Sequence, residues 1–245
     1  MPSPAMYVTV GSIESAIQVL QKLIEIMEEA PKVEGFVMDF EAGLWQALRS
    51  VFPGTQLKGC AFHWCQAVLR HVQHLGLKAT YERREGAHQL IRKLLALPFL
   101  PGQHIERAFI KLKDRAEGSS DQMKELFTYV EDQWMESSLW STTEWSVYRQ
   151  TIRTNNDTEG WHRRLNFSAG RSTLQFYVLL SLLLRESKMV NVTHQLVSEA
   201  ALGRQRRERY RDIDARIMDE WDSYDSHEVT CEEFLKNVGA IYGGR

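Results

Sequence analysis

The sequence predicts an α/β N-terminal part that gives way to a largely helical remainder. Short apolar runs alternate with amphipathic stretches up to about residue 75. Strand-like alternation disappears from Gly76 onward, and no proline follows Pro101 to interrupt the helical texture. Met6–Val10 (MYVTV) is β-branched and aromatic and is followed by Gly11-Ser12, which predicts a first strand. Ile13–Glu29 places Ile13, Ala16, Ile17, Leu20, Leu23, Ile24 and Met27 on one helical face, with Ser12 as N-cap and Pro31 as the stop. Val33–Met38 predicts a second strand, Glu41–Val51 a helix closed by Phe52-Pro53-Gly54, Leu57–Ala61 a short third strand and Phe62–Leu75 a further helix. An order in which strands and helices alternate is that of a sheet with crossover connections.

Beyond that point Ala87–Leu97, His104–Asp114, Gln122–Met135 and Trp140–Arg149 read as helices, separated by turns at Pro98–Gly102 and Gly118–Asp121. Thr158–Asn166, Leu174–Ala201 and the charged stretch Arg204–Asp219 complete the helical set. The domain reading is therefore 1–75 as the α/β part, 76–150 as an α-helical insertion, and 151–245 as a helix bearing a late acid followed by C-terminal helices.

Composition bounds the function. The 245 residues carry a formal net charge of −2, which argues against a chain that coats itself with nucleic acid and leaves room for a local basic patch. Three cysteines (Cys60, Cys65, Cys231) make no disulfide framework and fit a reducing compartment. The longest apolar run, Phe176–Leu184, is about half the length of a membrane span. It reads as a buried helix, and no membrane partner is expected. Met1–Pro4 offers no basic region ahead of an apolar core, so no secretory leader is expected.

Two acidic motifs carry the chemistry. Asp39 ends the apolar run Phe36-Val-Met-Asp39-Phe-Glu41, where a carboxylate is placed for metal or phosphate chemistry; the alternative is that it caps the helix beginning near Glu41. Glu159 lies in Thr154-Asn-Asn-Asp-Thr-Glu159-Gly-Trp-His-Arg-Arg-Leu165-Asn166. Asn156 and Glu159 have capping-box spacing, which explains them and Asp157 without function and leaves Asn155, His162, Arg163 and Arg164 unexplained. His162, Arg163 and Arg164 on the same stretch suit phosphate. Cys60 and His63 form a Cys-x-x-His, half of a zinc-site spacing; the alternative is a buried thiol with a packed imidazole, and Cys65, His71 and His74 would run along the same helix. Trp134, Trp140, Trp145 and Trp161 read as core rather than as base-stacking surfaces. Arg204, Arg206 and Arg207 belong to a basic stretch interleaved with Glu208, Asp212 and Asp214, either a phosphate contact or a solvated face.

Taken in order, these motifs resemble the Mutator-like (MULE) transposase domain. The matching residues are Val37-Met-Asp39-Phe-Glu41, Phe52-Pro53, Gly59-Cys60-Ala-Phe-His63 with Gln66, and Thr154–Glu159 with Leu165-Asn166. The resemblance implies an RNase H-like core with a large all-α insertion and C-terminal helices, in a nuclear protein of DNA transposition. It implies that Asp39 and Glu159 are catalytic metal ligands for Mg²⁺ or Mn²⁺, with Cys60 and His63 as the family's Cys-x-x-His, further candidate metal ligands whose role it leaves undefined. The family's first catalytic Asp would stand upstream of Tyr7, where none of Met1–Met6 is acidic. An incomplete core with impaired phosphoryl transfer is the expectation, together with an exposed sheet that a second copy or a protein partner would cover. The alternative is a non-catalytic nuclear module that binds DNA or protein, with His162, Arg163, Arg164, Arg204, Arg206 and Arg207 as the nucleic-acid contacts.

Overall fold

Gly35–Met38 (β1) and Gln56–Gly59 (β2) pair in parallel, in a register that runs from Gly35 opposite Gln56 to Met38 opposite Gly59. Parallel neighbours need a crossover, and Ala42–Val51 (α2) supplies it. This computed structural model describes residues 12–27, 29, 31–82, 86–170, 176–198 and 208–242. The expected strand at Met6–Val10 lies outside them. Among the described residues the sheet has two strands, and the rest of the regular structure is helical. The α/β order holds; it is a small parallel sheet set in a mostly helical chain.

Ile13–Ile26 (α1) begins where expected, with the Ser12 hydroxyl accepting from the Ser15 amide at 3.2 Å. It packs against α2. Ala16, Leu20, Met38, Trp45, Ala47, Leu48 and Leu57 form the small core of this α/β part. A larger core is built by Ala61–His74 (α3), Lys78–Glu82 (α4), Gly86–Leu95 (α5), Gly102–Ala116 (α6) and Asp121–Val130 (α7), the last continued by a π turn at Glu131–Met135. After Thr142–Trp145 (α8), the chain forms Asn156–Ala169 (α9), Phe176–Ser198 (α10), Glu208–Asp225 (α11) and Cys231–Tyr242 (α12). Helix α12 packs on α5, and Gly239 is required there, because a Cβ would sit 2.8 Å from the Arg92 carbonyl oxygen.

The chain forms two compact units. The first comprises the described residues of 12–155 and 212–242; the second comprises those of 156–211. In the first unit, Trp134 and Trp145 are buried and Trp140 packs against both cores, as the core reading of these residues expects.

Two expectations are corrected. Trp140–Arg149 is helical only over Thr142–Trp145. Tertiary partners take the backbone groups a longer helix would use: Lys58 Nζ donates to the carbonyls of Thr143 (2.7 Å) and Ser146 (3.2 Å), and the Val147 amide donates to the Pro98 carbonyl (2.7 Å). The apolar run in α10 is exposed rather than buried, with Tyr177 78% and Leu184 55% exposed and no buried side chain among its described residues. Within the second unit, α9 packs against α10 but leaves these side chains uncovered. No helix among the described residues is long and apolar enough to cross a membrane.

Candidate functional site

The register of the sheet creates the site. Met38 and Gly59 are the paired last residues of two parallel strands, so the next residue of each, Asp39 and Cys60, emerges at the same edge. The Cys60 amide extends the ladder by donating to the Met38 carbonyl at 2.8 Å. Cys60 is also the N-cap residue of α3, which places His63 within the first turn. The carboxylate, thiol and imidazole ligand atoms all lie within 4.8 Å of one another.

Asn155 completes the cluster from far along the chain. The Ala61 amide at the head of α3 donates to the Arg153 carbonyl at 3.0 Å and anchors that segment. Asn155 Nδ2 then donates to Asp39 Oδ1 at 2.7 Å, while its Oδ1 accepts from Cys60 Sγ at 3.1 Å. Behind the carboxylate, Trp45 Nε1 donates to the Asp39 backbone carbonyl at 2.7 Å. Phe40 is wedged into an aromatic group, with ring centroids 4.6 Å from Trp134 and 5.4 Å from Trp140.

The helix-cap reading of Asp39 does not hold. Glu41 occupies the N-cap of α2, and the Asp39 side chain is turned to Asn155 and His63. His63 Nδ1 stands 2.8 Å from Asp39 Oδ1, yet no acceptor lines up with its buried N–H. The Asp39 carboxylate first, and the Cys60 sulfur next, push the His63 imidazole up to about 10, against the opposing effect of burial.

That displacement has a signed consequence. A histidine raised from 6.5 to about 10 on folding contributes stability that is complete below about 6.5 and is lost as pH rises toward 10. We expect the His63 ring protons to titrate well above neutrality by NMR, and Asp39→Asn to bring the midpoint down. A wild-type midpoint near 6.5 would show that the carboxylate does not hold the charge.

The neighbouring candidates separate cleanly from this group. Burial pushes the Cys65 thiol far up, and its Sγ contacts the Leu95 carbonyl at 3.5 Å. His71 stacks on Tyr129 with ring centroids 3.9 Å apart. Among the described residues, Asp39, Cys60 and His63 are the cluster with metal-ligating donors in reach of each other.

Glu159 belongs to the second unit, half-buried on α9. Helix α9 starts at Asn156, three residues before Glu159. In the same unit Glu186 accepts from Trp161 Nε1 at 3.0 Å and pairs with Arg164 at 3.3 Å. His162 is half-buried, whereas Arg163 and Arg164 are exposed. Arg204, Arg206 and Arg207 lie outside the described residues.

The donors beside Asp39 are mixed, and the other expected Mg²⁺ or Mn²⁺ ligand, Glu159, lies in the second unit. Hard cations take oxygen ligands, and beside this one carboxylate stand a sulfur and a ring nitrogen. Asn155 is the residue that sequence reasoning missed. Its only signal was negative, since the capping account of its neighbours left it without a task. Comparison of the chain with protein-family models, with curated proteins and with solved structures finds no match.

Proposed function

We propose that the chain is a transposon-derived core of Mutator-like ancestry that keeps the strand-end scaffold but is impaired in metal-dependent phosphoryl transfer. The observation that carries the reading is the meeting of Asp39 with the Cys60-x-x-His63 motif at the ends of adjacent parallel strands. Asn155 adds to it, because it stands four residues before Glu159 and reaches the same cluster. The RNase H-like fold, the nuclear location and any DNA partner belong to this proposal and rest on the motif resemblance. The assignment of Asp39 and Glu159 as Mg²⁺ or Mn²⁺ ligands is what intact relatives would require; the mixed donors beside Asp39 favour the impaired form.

Under this reading the chain acts through binding. The exposed Arg163 and Arg164 on α9 and the basic residues Arg204, Arg206 and Arg207 would hold phosphate, and the apolar side chains exposed on α10 would face a protein or a second copy. The test is a nuclease and strand-transfer assay on the purified chain with Mg²⁺ and with Mn²⁺. Intact DNA is the expected product, with salt-sensitive DNA binding that charge reversal at Arg204, Arg206 and Arg207 removes. Robust cleavage that Glu159→Gln abolishes would overturn the impaired reading.

A further inference from the structure

We propose that Asp39, Cys60 and His63 form a site for a borderline-soft divalent transition metal of the zinc or cobalt class. The three side chains offer one oxygen, one sulfur and one nitrogen, a combination that suits Zn²⁺ or Co²⁺ and is foreign to the hard cations of phosphoryl transfer. Ligand atoms around tetrahedral zinc stand roughly 3–4 Å apart, given bonds of about 2.0–2.3 Å. The three donors here lie within 4.8 Å of one another, with the Nδ1–Oδ1 pair at 2.8 Å, so seating an ion needs that pair to open slightly and only small side-chain movements otherwise.

Two further observations point to a ligand. His63 Nδ1 is buried and faces the cluster without an aligned hydrogen-bond partner, although a carboxylate oxygen is 2.8 Å away. An ion seated beside these atoms would take the Nδ1 lone pair. Asn155 behaves as an outer support, since its Nδ2 donates to Asp39 Oδ1 at 2.7 Å and fixes the carboxylate from the side. On binding, the Cys60 thiol that now donates to Asn155 Oδ1 and the His63 imidazolium would each give a proton to solvent, and the ion would take the place of both protons.

Burial grades across the site and defines its open side. Cys60 is 0% exposed, while the side chains of His63 and Asp39 are 20% and 39% exposed. Water therefore reaches the ion past the carboxylate, where a fourth ligand completes the shell. The buried thiol is also closed to bulky reagents, which separates this site from one built for thiol nucleophile chemistry.

The inference stands independently of the transposase reading. The experiment titrates the purified full chain with Co²⁺ and follows its optical spectrum, then displaces the cobalt with Zn²⁺ in competition with a chromogenic chelator. One ion per chain is expected, with a sulfur-to-cobalt charge-transfer band, a rise in melting temperature with Zn²⁺ and none with Mg²⁺. Asp39→Asn, at the most exposed of the three ligands, is expected to weaken binding at least tenfold, and Asn155→Ala about tenfold. Cys60→Ser removes the band; a band that survives in this variant would come from Cys65 or Cys231 and would overturn the assignment. Absence of the band in the wild-type chain would overturn it too. A chain that binds zinc and also cleaves DNA with Mg²⁺ keeps this inference and sinks the proposed function, whereas one that does neither sinks this inference alone.

Discussion

Trp45→Ala is expected to destabilise the first unit by about 3–5 kcal/mol, the range for emptying a fully buried aromatic site. Trp45 is 0% exposed and sits at the centre of the small core between α1, α2 and the strands. For a chain of this size the melting temperature should fall by roughly 2–4 °C per kcal/mol. Trp45→Phe separates packing from positioning. It keeps a ring in the core but removes the Nε1 donor from the Asp39 carbonyl, at a cost of about 0.5–1.5 kcal/mol for the lost hydrogen bond. The same variant should also move the His63 titration, because the hydrogen bond it removes is made to the residue that holds the imidazole charge. A Trp45→Phe chain with wild-type stability and wild-type His63 titration would show that the indole does not position Asp39.

Gly59→Ala is the second large effect, and its cause is a single collision. A Cβ on Gly59 would stand 2.2 Å from Phe40 Cζ and 2.5 Å from its Cε1, closer than any real contact allows. The ring cannot swing away freely, since Trp45, Trp134 and Trp140 surround it. Overpacking of this kind costs about 1–3 kcal/mol. The strain falls on the strand ends that present Asp39 and Cys60, so the cluster should loosen along with the fold. Phe40→Ala introduced into the Gly59→Ala chain should restore part of the loss, with a coupling of about 0.5–3 kcal/mol between the two positions. Additive losses in thermal melts of the single and double variants would refute the collision.

The sequence carried the parts of this architecture that local periodicity encodes. Ser12 and the apolar stripe behind it set α1, and the two short apolar runs before Asp39 and Cys60 became the parallel strands. Parallel register then needed no further information to bring those two residues side by side. What stayed hidden depends on long-range partners. Trp140–Arg149 has the composition of a helix, but Lys58, Pro98 and Leu100 compete for its backbone and side-chain groups, with Ser146 Oγ donating to the Leu100 carbonyl at 2.6 Å. No window of ten residues contains that competition. Asn155 was illegible for the same reason: its partners lie 116 and 95 residues earlier in the chain. The exposure along α10 was missed because an apolar run states only that a helix wants cover, and not how much of it the companion helix supplies.

The ion pair between Arg153 and Asp214, with the Arg153 guanidinium also 5.5 Å from the centre of the Trp221 ring, has a topological consequence. The first unit gives up the chain after Asn155 and takes it back at Asp212, and this pair ties together the two places where that happens. Everything between is, in effect, a cassette spliced into one loop of the first unit. A loop whose ends are already fastened tolerates change in length at little entropic expense, about 0.6 kcal/mol for each doubling. Insertions and deletions in the spliced stretch can therefore accumulate without disturbing the anchor that brings Asn155 to Asp39 and Cys60.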